Sequence, residues 1–187
     1  MAEKDISDPD VQILAALAAD KKSQYEAEDA MWVDSPFRWI KNRPSRQIGS
    51  IGESLVAGWC ANRSFDVVRS RSSDSDRIIA GHRVEIKFSS LWTDNLIFKF
   101  QQIRDQDYDY CFCLGVSPFD ANAWFIPKSE LKENRPPALV PQHGGAAGRD
   151  TKWLSFTASS PPEWLGPFGG RLADVYKLIL SAGNGLH

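Results

Sequence analysis

The chain has 187 residues, of which 42% are hydrophobic and 11% aromatic, and this composition indicates a globular protein rather than a disordered one. Its formal net charge of −2 gives no overall attraction to nucleic acid. No stretch approaches the roughly 20 apolar residues that span a bilayer, and the acidic N-terminus lacks the apolar core of a secretory signal. Three cysteines without metal-ligand spacing indicate reduced thiols, so we expect a cytoplasmic protein with no membrane contact.

The charges are unevenly distributed along the chain. Residues 1–34 contain three basic and nine acidic residues, whereas residues 35–90 contain ten basic and five acidic residues. Phosphate binding requires a local excess of positive charge, so a nucleic-acid site is expected in the second segment. A merely solvated basic surface would show the same balance, and charge alone does not decide between the two interpretations.

The N-terminal region predicts a helical arm. Asp8 or Asp10 can cap its first helix, and apolar residues at helical spacing form a stripe along it: Val11, Ile13, Leu14 and Leu17. We expect residues 1–45 to form an arm that covers the core or contacts a partner subunit. Residues 46–187 are then expected to form the main domain.

The next segment, from Arg46 to Arg63, has the spacing of a buried helix, with its apolar stripe at Ile48, Ile51, Leu55, Val56 and Trp59. Glu53 lies between the stripe positions, where a glutamate is most often only a solvated helix residue. A strand is predicted at 65–69, followed by a Ser/Arg-rich segment at 70–75. That segment either contacts phosphates or is a flexible polar loop.

Residues 76–88 predict a tight β-hairpin. Two β-branched runs flank Gly81-His82, which we interpret as a two-residue turn that pairs Asp76 with Lys87. Because side chains alternate along a strand, Asp76, Glu85 and Lys87 share one face, and apolar side chains occupy the other. Two carboxylates and an ammonium group therefore converge on one small patch.

Such a patch suits a hard divalent cation. Mg²⁺ is usually held by one or two carboxylates together with waters and phosphate oxygens, and a nearby lysine can orient a metal-bound water. The plain alternative is a surface hairpin with a cross-strand ion pair, which adds little stability. Asp74 has the same strand parity as Asp76 and is a rival for the first acid, but it lies in the Ser-rich approach to the strand.

Asp76, followed after eight residues by Glu85-Ile86-Lys87, resembles the signature of the PD-(D/E)xK nuclease superfamily, in the style of type II restriction endonucleases. The resemblance covers about residues 46–126 and departs from the family at Ser75, where many members have proline. It implies an α/β fold: a restriction-endonuclease-like three-layer sandwich whose central mixed sheet is flanked by helices. It also implies that Asp76 and Glu85 bind Mg²⁺, with Mn²⁺ as a substitute, and that Lys87 assists the attacking water.

The resemblance implies further site residues. Glu53 on the preceding helix would add a third acid, and the Ile86 carbonyl would be a further metal ligand. A glutamine on the helix after the hairpin often supports such sites, and Gln101 and Gln102 are equal candidates. The residues expected to contact DNA are Arg71, Ser72, Ser73, Ser89, Ser90 and His143.

The rest of the chain completes the predicted core. Strands are expected at 110–116, 123–127 and 151–156, a short helix at 128–132 and a C-terminal helix at 170–180. The core order is then helix, strand, hairpin, helix, strand. The Pro- and Gly-rich loops around 135–150 are a natural place for elements that read bases.

Together these patterns predict a Mg²⁺-dependent endodeoxyribonuclease that cuts double-stranded DNA. Residues 46–187 would be its nuclease domain, with a catalytic core at about 46–127. The sequence leaves open whether the chain pairs with a second copy or with a partner subunit. Two alternatives stay open: a structure-specific nuclease of the junction-resolvase kind, and a non-catalytic DNA-binding subunit of a larger complex.

Overall fold

The computed structural model describes residues 7–142 and 151–184. Its helices are α1 (Pro9–Glu28), α2 (Arg38–Lys41), α3 (Ser45–Asn62), α4 (Lys128–Leu131) and α5 (Leu172–Asn184). Its strands are β1 (Val67–Arg69), β2 (Arg77–Ile79), β3 (His82–Ser90), β4 (Ile97–Arg104), β5 (Tyr110–Val116), β6 (Ala121–Pro127), β7 (Leu139–Pro141) and β8 (Thr151–Thr157). Within these described ranges, no helix has the length and apolar content needed to cross a membrane.

The central sheet has the strand order β1-β2-β3-β5-β6. Strands β3 and β5 are parallel, and the other pairs are antiparallel, so the sheet is mixed. A parallel pair needs a crossover connection. Here the crossover contains β4, which belongs to a second, antiparallel sheet of order β4-β8-β7.

Helix α3 packs closely on one face of the central sheet. A Cβ atom built on Gly52 would lie 2.3 Å from the Cβ of Phe88 in β3, so only glycine permits this approach. Further along the helix, Trp59 packs edge-on against Phe112 of β5, with 6.0 Å between the ring centroids. The contact between Gly52 and Phe88 sets the short distance between α3 and β3.

The second sheet covers the opposite face with aromatic side chains. Phe98 and Phe100 of β4 are fully buried and pack edge-on against Trp124 of β6. Gly115 of β5 makes room for this layer, because a Cβ there would lie 2.8 Å from the Phe98 ring. Burying a side chain of this size stabilises a fold by about 1.5–3 kcal/mol, so this aromatic layer is a large part of the core.

The predicted α/β class, with a central mixed sheet flanked by helices, is confirmed. The predicted core order is wrong at one place, because residues 97–104 form strand β4 where a helix was expected. The helix was expected from the resemblance, and the strand that takes its place has a β-bulge between Phe100 and Ile103. The extra residue lets both of these side chains face the core while two glutamines lie between them, and this spacing imitates a helix.

The arm shows two kinds of packing. The Asp8 carboxylate caps α1 as predicted, accepting the N–H of Asp10 at 2.9 Å. The apolar stripe of α1, however, is 43–64% exposed at each of its four positions. The segment after α1 is anchored to the core, because Trp32 and Ile40 are buried. The division of the chain at residue 45 stays a prediction.

Candidate active site

The charged hairpin turns at Ala80 and Gly81, so the predicted turn at Gly81 and His82 is wrong. Both turn residues have positive φ, 50° and 85°, as a type I′ hairpin turn requires. An alanine in this conformation is uncommon, which is why the sequence pointed one residue further on. In the observed register Ile79 pairs with His82.

This slip of two positions between the strands preserves the face of every side chain. The charged residues therefore share a face as predicted. Continuing the register beyond the Arg77–Val84 pair, however, places Asp76 beside Glu85, and the predicted Asp76–Lys87 pairing is wrong.

Asp76 is held by the backbone of the strand it faces. Its own N–H donates to the Val84 carbonyl at 3.0 Å, and its carboxylate Oδ2 accepts the N–H of Ile86 at 2.7 Å. Strand β2 begins only at Arg77, so no β2 residue pairs with Ile86. The Asp76 carboxylate accepts the Ile86 N–H in place of a backbone carbonyl. In a sheet the N–H and C=O of one residue point to the same side. The Ile86 carbonyl therefore faces the Asp76 side of β3.

Glu85 and Lys87 form a largely buried ion pair. The Lys87 Nζ lies 2.7 Å from Glu85 Oε1, and the two side chains are only 16% and 10% exposed. Burial raises the pKa of the Glu85 carboxyl, the Lys87 ammonium opposes this rise, and the Asp76 and Glu53 carboxylates add to it. Negative charge is thus crowded at this point, and a bound cation would relieve the crowding.

Helix α3 brings the Glu53 carboxyl to the same place. Its Oε2 lies 3.5 Å from Nη1 of Arg77. Burial raises the pKa of Glu53, and the negative charge of Asp76 raises it further, while Arg77, Arg69 and Lys87 act in the opposite direction. The predicted acid on the preceding helix therefore lies within electrostatic reach of the hairpin acids.

These groups open into one cavity of about 560 Å³. The predicted residues among those lining it are Glu53, Asp76, Glu85, Ile86, Lys87, Ser89, Ser90, Gln101 and Gln102. The structure thus gathers every predicted catalytic residue around one space. The glutamines, however, come from the bulge of β4, so their predicted position on a helix is wrong.

The donor set fits a magnesium ion. Among the described residues, no group of three or more His, Cys, Asp or Glu side chains is placed to hold a metal ion together, so Glu53 does not join Asp76 and Glu85 as a third ligand. Mg²⁺ does not need one, because it usually keeps waters and takes one or two carboxylates. Each hairpin acid uses one oxygen for the contacts above, which leaves Asp76 Oδ1 and Glu85 Oε2 without a hydrogen-bond donor from the described part of the chain.

Comparison with known proteins supports the fold. No protein-family model matches the sequence, and no curated protein matches it either. Among solved structures, the chain is similar to a bacterial homing endonuclease, I-Ssp6803I, with a TM-score of 0.50 and 13% sequence identity. The match covers 77% of this chain and 97% of that chain. The two proteins share a fold. The architecture described above is therefore also found in a homing endonuclease.

The predicted DNA contacts lie in different places. Arg71, Ser72 and Ser73 are exposed on the loop before β2 and do not line the cavity. Ser89 does line it, but this serine is buried and its hydroxyl accepts the Lys99 N–H at 2.9 Å. Ser90 also lines the cavity, and His143 lies outside the described residues.

Several residues that line the cavity were not predicted, among them Arg46 at the start of α3, Trp92 after β3 and Lys99 on β4. Arg46 belongs to the locally basic segment, so the charge distribution was a signal for it. Trp92 and Lys99 lacked a signal, because they reach the cavity only through the packing of β4 beside β3.

Proposed function

We propose that the protein is a Mg²⁺-dependent endodeoxyribonuclease of the PD-(D/E)xK type. The observation that carries this proposal is the convergence of Asp76, Glu85 and Lys87 in one open cavity. The Asp76 carboxylate accepts a hydrogen bond from the N–H of Ile86, the residue between Glu85 and Lys87. The fold shared with a homing endonuclease supports it. Electrostatics supports it too, since buried carboxylates with raised pKa values are typical of functional sites.

In this proposal Asp76, Glu85 and the Ile86 carbonyl hold the Mg²⁺ ion, and Glu53 modulates the site. When bound, the ion supplies positive charge for the phosphate and makes water a better nucleophile. The Lys87 ammonium orients the attacking water and offsets charge that develops on the phosphate. Hydrolysis joins the water oxygen to phosphorus, breaks one phosphorus–oxygen bond and delivers a proton to the departing oxygen.

DNA would reach this cavity along its basic rim. Arg46 and Lys99 line the cavity, and Arg69 and Arg77 lie close enough to Glu53 to lower its pKa. Lys87, Arg46 and Lys99 thus line the space where the scissile phosphate would lie, and Arg69 and Arg77 add positive charge nearby. Phosphate contacts of this kind position a duplex without reading its sequence.

Two finer functions fit this chemistry. One is cleavage of duplex DNA at a defined sequence, as type II restriction endonucleases perform it, with two copies of the chain or a partner subunit on a palindromic site. The other is structure-specific cleavage of the kind needed in repair or recombination. The second is favoured by one observation, the exposed indole of Trp92 at the cavity, which is a surface for an unpaired base.

Plasmid cleavage tests the proposal. The purified chain with Mg²⁺ is expected to nick or linearise supercoiled plasmid, and Lys87→Ala is expected to remove this activity with an unchanged circular-dichroism spectrum. Asp74→Ala is the matched control, because Asp74 lies outside the cavity and its carboxylate accepts a hydrogen bond from the Ser72 hydroxyl at 3.0 Å. Full activity in Lys87→Ala would reject the site.

Further substrates and a binding measurement distinguish the three candidate functions. A discrete ladder on plasmid DNA supports the restriction-like function, whereas preferential cutting of branched or single-stranded substrates supports the structure-specific one. DNA binding that depends on Mg²⁺ but never leads to cutting, even with a candidate partner present, would identify a non-catalytic subunit.

A further inference from the structure

A large aromatic side chain is exposed beside the charged cavity. Trp92 is 44% exposed and lines the cavity, whereas Trp32 and Trp124 are buried in the core. Leaving an indole in water forgoes the stabilisation that burial would give. Beside a site with the chemistry of phosphodiester cleavage, such a ring is available to a flat apolar ligand.

The position of Trp92 is fixed by both sheets. Immediately before it, the Leu91 N–H donates to the Val116 carbonyl at the end of β5, at 2.8 Å. The Trp92 N–H donates to the Ile97 carbonyl at the start of β4, at 2.9 Å. The indole is therefore carried by anchored backbone, which keeps the entropy cost of ordering it in a complex low.

A cation accompanies the ring. The Nζ of Lys99 lies 5.0 Å from the centroid of the Trp92 ring and 3.6 Å from that of the Trp153 ring. Its backbone is held by the Ser89 hydroxyl, and its side chain lines the same cavity as Lys87. An ammonium group next to an exposed indole matches the two parts of a nucleotide, a charged phosphate and a flat base.

We propose that Trp92 and Lys99 form a nucleotide-binding subsite for an unpaired base next to the scissile phosphate. The Trp92 indole stacks on the base, and the Lys99 ammonium contacts the phosphate attached to that nucleotide. This inference rests on the proposed nuclease function and narrows its substrate. A base exposes a full face to an indole only when it leaves its stack, so the subsite selects DNA in which one base is unpaired or splayed.

Binding without a divalent cation tests this subsite separately from cutting. The full chain is titrated into a fluorescein-labelled duplex with one unpaired thymine, and into the same duplex with an abasic analogue at that position. The wild type is expected to prefer the thymine. Trp92→Ala is expected to weaken thymine binding about tenfold, to leave abasic binding unchanged, and Trp92→Phe to recover most of the loss.

Trp39→Ala is the matched control. Trp39 is 50% exposed and has a cationic neighbour in Arg43, 5.8 Å from its ring, but both line a different groove, on α2 and α3. Its replacement is expected to leave both affinities unchanged. A single-stranded thymine oligonucleotide, run in parallel, shows whether the base comes from a free strand or from an interrupted duplex.

A spectroscopic readout reports stacking directly. With 2-aminopurine in place of the unpaired thymine, the wild type is expected to quench its fluorescence and Trp92→Ala to leave it bright. Equal affinities and equal quenching for these two proteins would overturn the subsite. Trp92-dependent binding by a chain that never cuts DNA would instead contradict the nuclease proposal and leave the subsite intact.

Discussion

The two sides of the cavity are built in different ways. The charged side comes from one hairpin, where the Asp76 carboxylate accepts a hydrogen bond from the Ile86 N–H and Glu85 forms an ion pair with Lys87. The aromatic side forms where the turn after β3 meets β4, and it joins Trp92 to Lys99 across two sheets. A local strand pattern therefore determines the charged side, whereas only tertiary packing creates the aromatic side.

The largest expected effect separates the two cavity lysines. Lys87→Ala is expected to lower kcat for DNA cleavage by about a thousandfold, because its charge acts on the reacting phosphate. Lys99→Ala is expected to raise KM or Kd by about tenfold with little change in kcat, since this lysine would bind the adjacent nucleotide equally in the ground and transition states. Steady-state cleavage kinetics measure both. Similar kcat losses in the two variants would remove the distinction between the sides.

The approach of helix α3, which brings Glu53 to the hairpin acids, depends on a glycine. Gly52→Ala is expected to destabilise the protein by about 2–3 kcal/mol, because the added Cβ would overlap the Cβ of Phe88, which no rotamer change can move. Urea denaturation measures this change. Gly58→Ala in the same helix meets nothing within 4 Å and is expected to be neutral or stabilising by up to about 1 kcal/mol. Equal stabilities would mean that α3 does not approach β3 this closely.

The packing of β4, the strand that carries Lys99 of the aromatic side, depends on a glycine in strand β5. Gly115→Ala is expected to destabilise the protein by about 1–2 kcal/mol, less than the helix variant, because the atoms in the way belong to the Phe98 ring rather than to a Cβ. The same denaturation experiment checks the order of the two variants. A larger loss for Gly115→Ala would show that the second sheet is the more rigid layer.

A smaller effect concerns the pH dependence of the charged side. The pKa of Glu53 is raised by burial and by Asp76, so its charged form is disfavoured in the folded protein. Its stabilising contribution is therefore present below its ordinary pKa of 4.5 and is lost as the pH rises through the raised value. In EDTA, Glu53→Gln is expected to have a higher Tm than the wild type at neutral pH, and the difference should vanish on acidification. A lower Tm at neutral pH would contradict this assignment.

Cleavage should change with pH in the opposite direction. The acids must be ionised to bind a cation, so activity is expected to fall as the pH decreases, with its midpoint above the ordinary carboxyl value of 4.5. Rates measured over a pH series at limiting Mg²⁺, where activity reports cation binding to the metal-free protein, locate this midpoint. A midpoint at or below 4.5 would show that burial does not control the acids.

The sequence predicted the charged side because a strand alternates with a period of two. The wrongly placed turn at Gly81-His82 shifted the predicted cross-strand partner of each residue by two positions. An even shift keeps each side chain on its face, so Asp76, Glu85 and Lys87 still share one face. The resemblance placed Gln101 and Gln102 on a helix, whereas they lie in strand β4, where a β-bulge inserts one extra residue.

Other features depended on information that a local pattern does not contain. The helix α1 was predicted correctly, but the spacing of its apolar residues does not show whether another element covers them, and they are exposed. The approach of Gly52 to Phe88 and the position of Trp92 beside the cavity arise from contacts between segments distant in sequence. These contacts appear only once the layers are packed.

The central claim is that Asp76 and Glu85 share one divalent cation. Titration of Mn²⁺ into the full chain, followed by loss of the free-ion EPR signal, tests it most directly. The wild type and Asp74→Asn are expected to bind the ion, and the Asp76→Asn/Glu85→Gln double variant is expected to leave it free. Equal Mn²⁺ binding by the double variant and the wild type would contradict the claim.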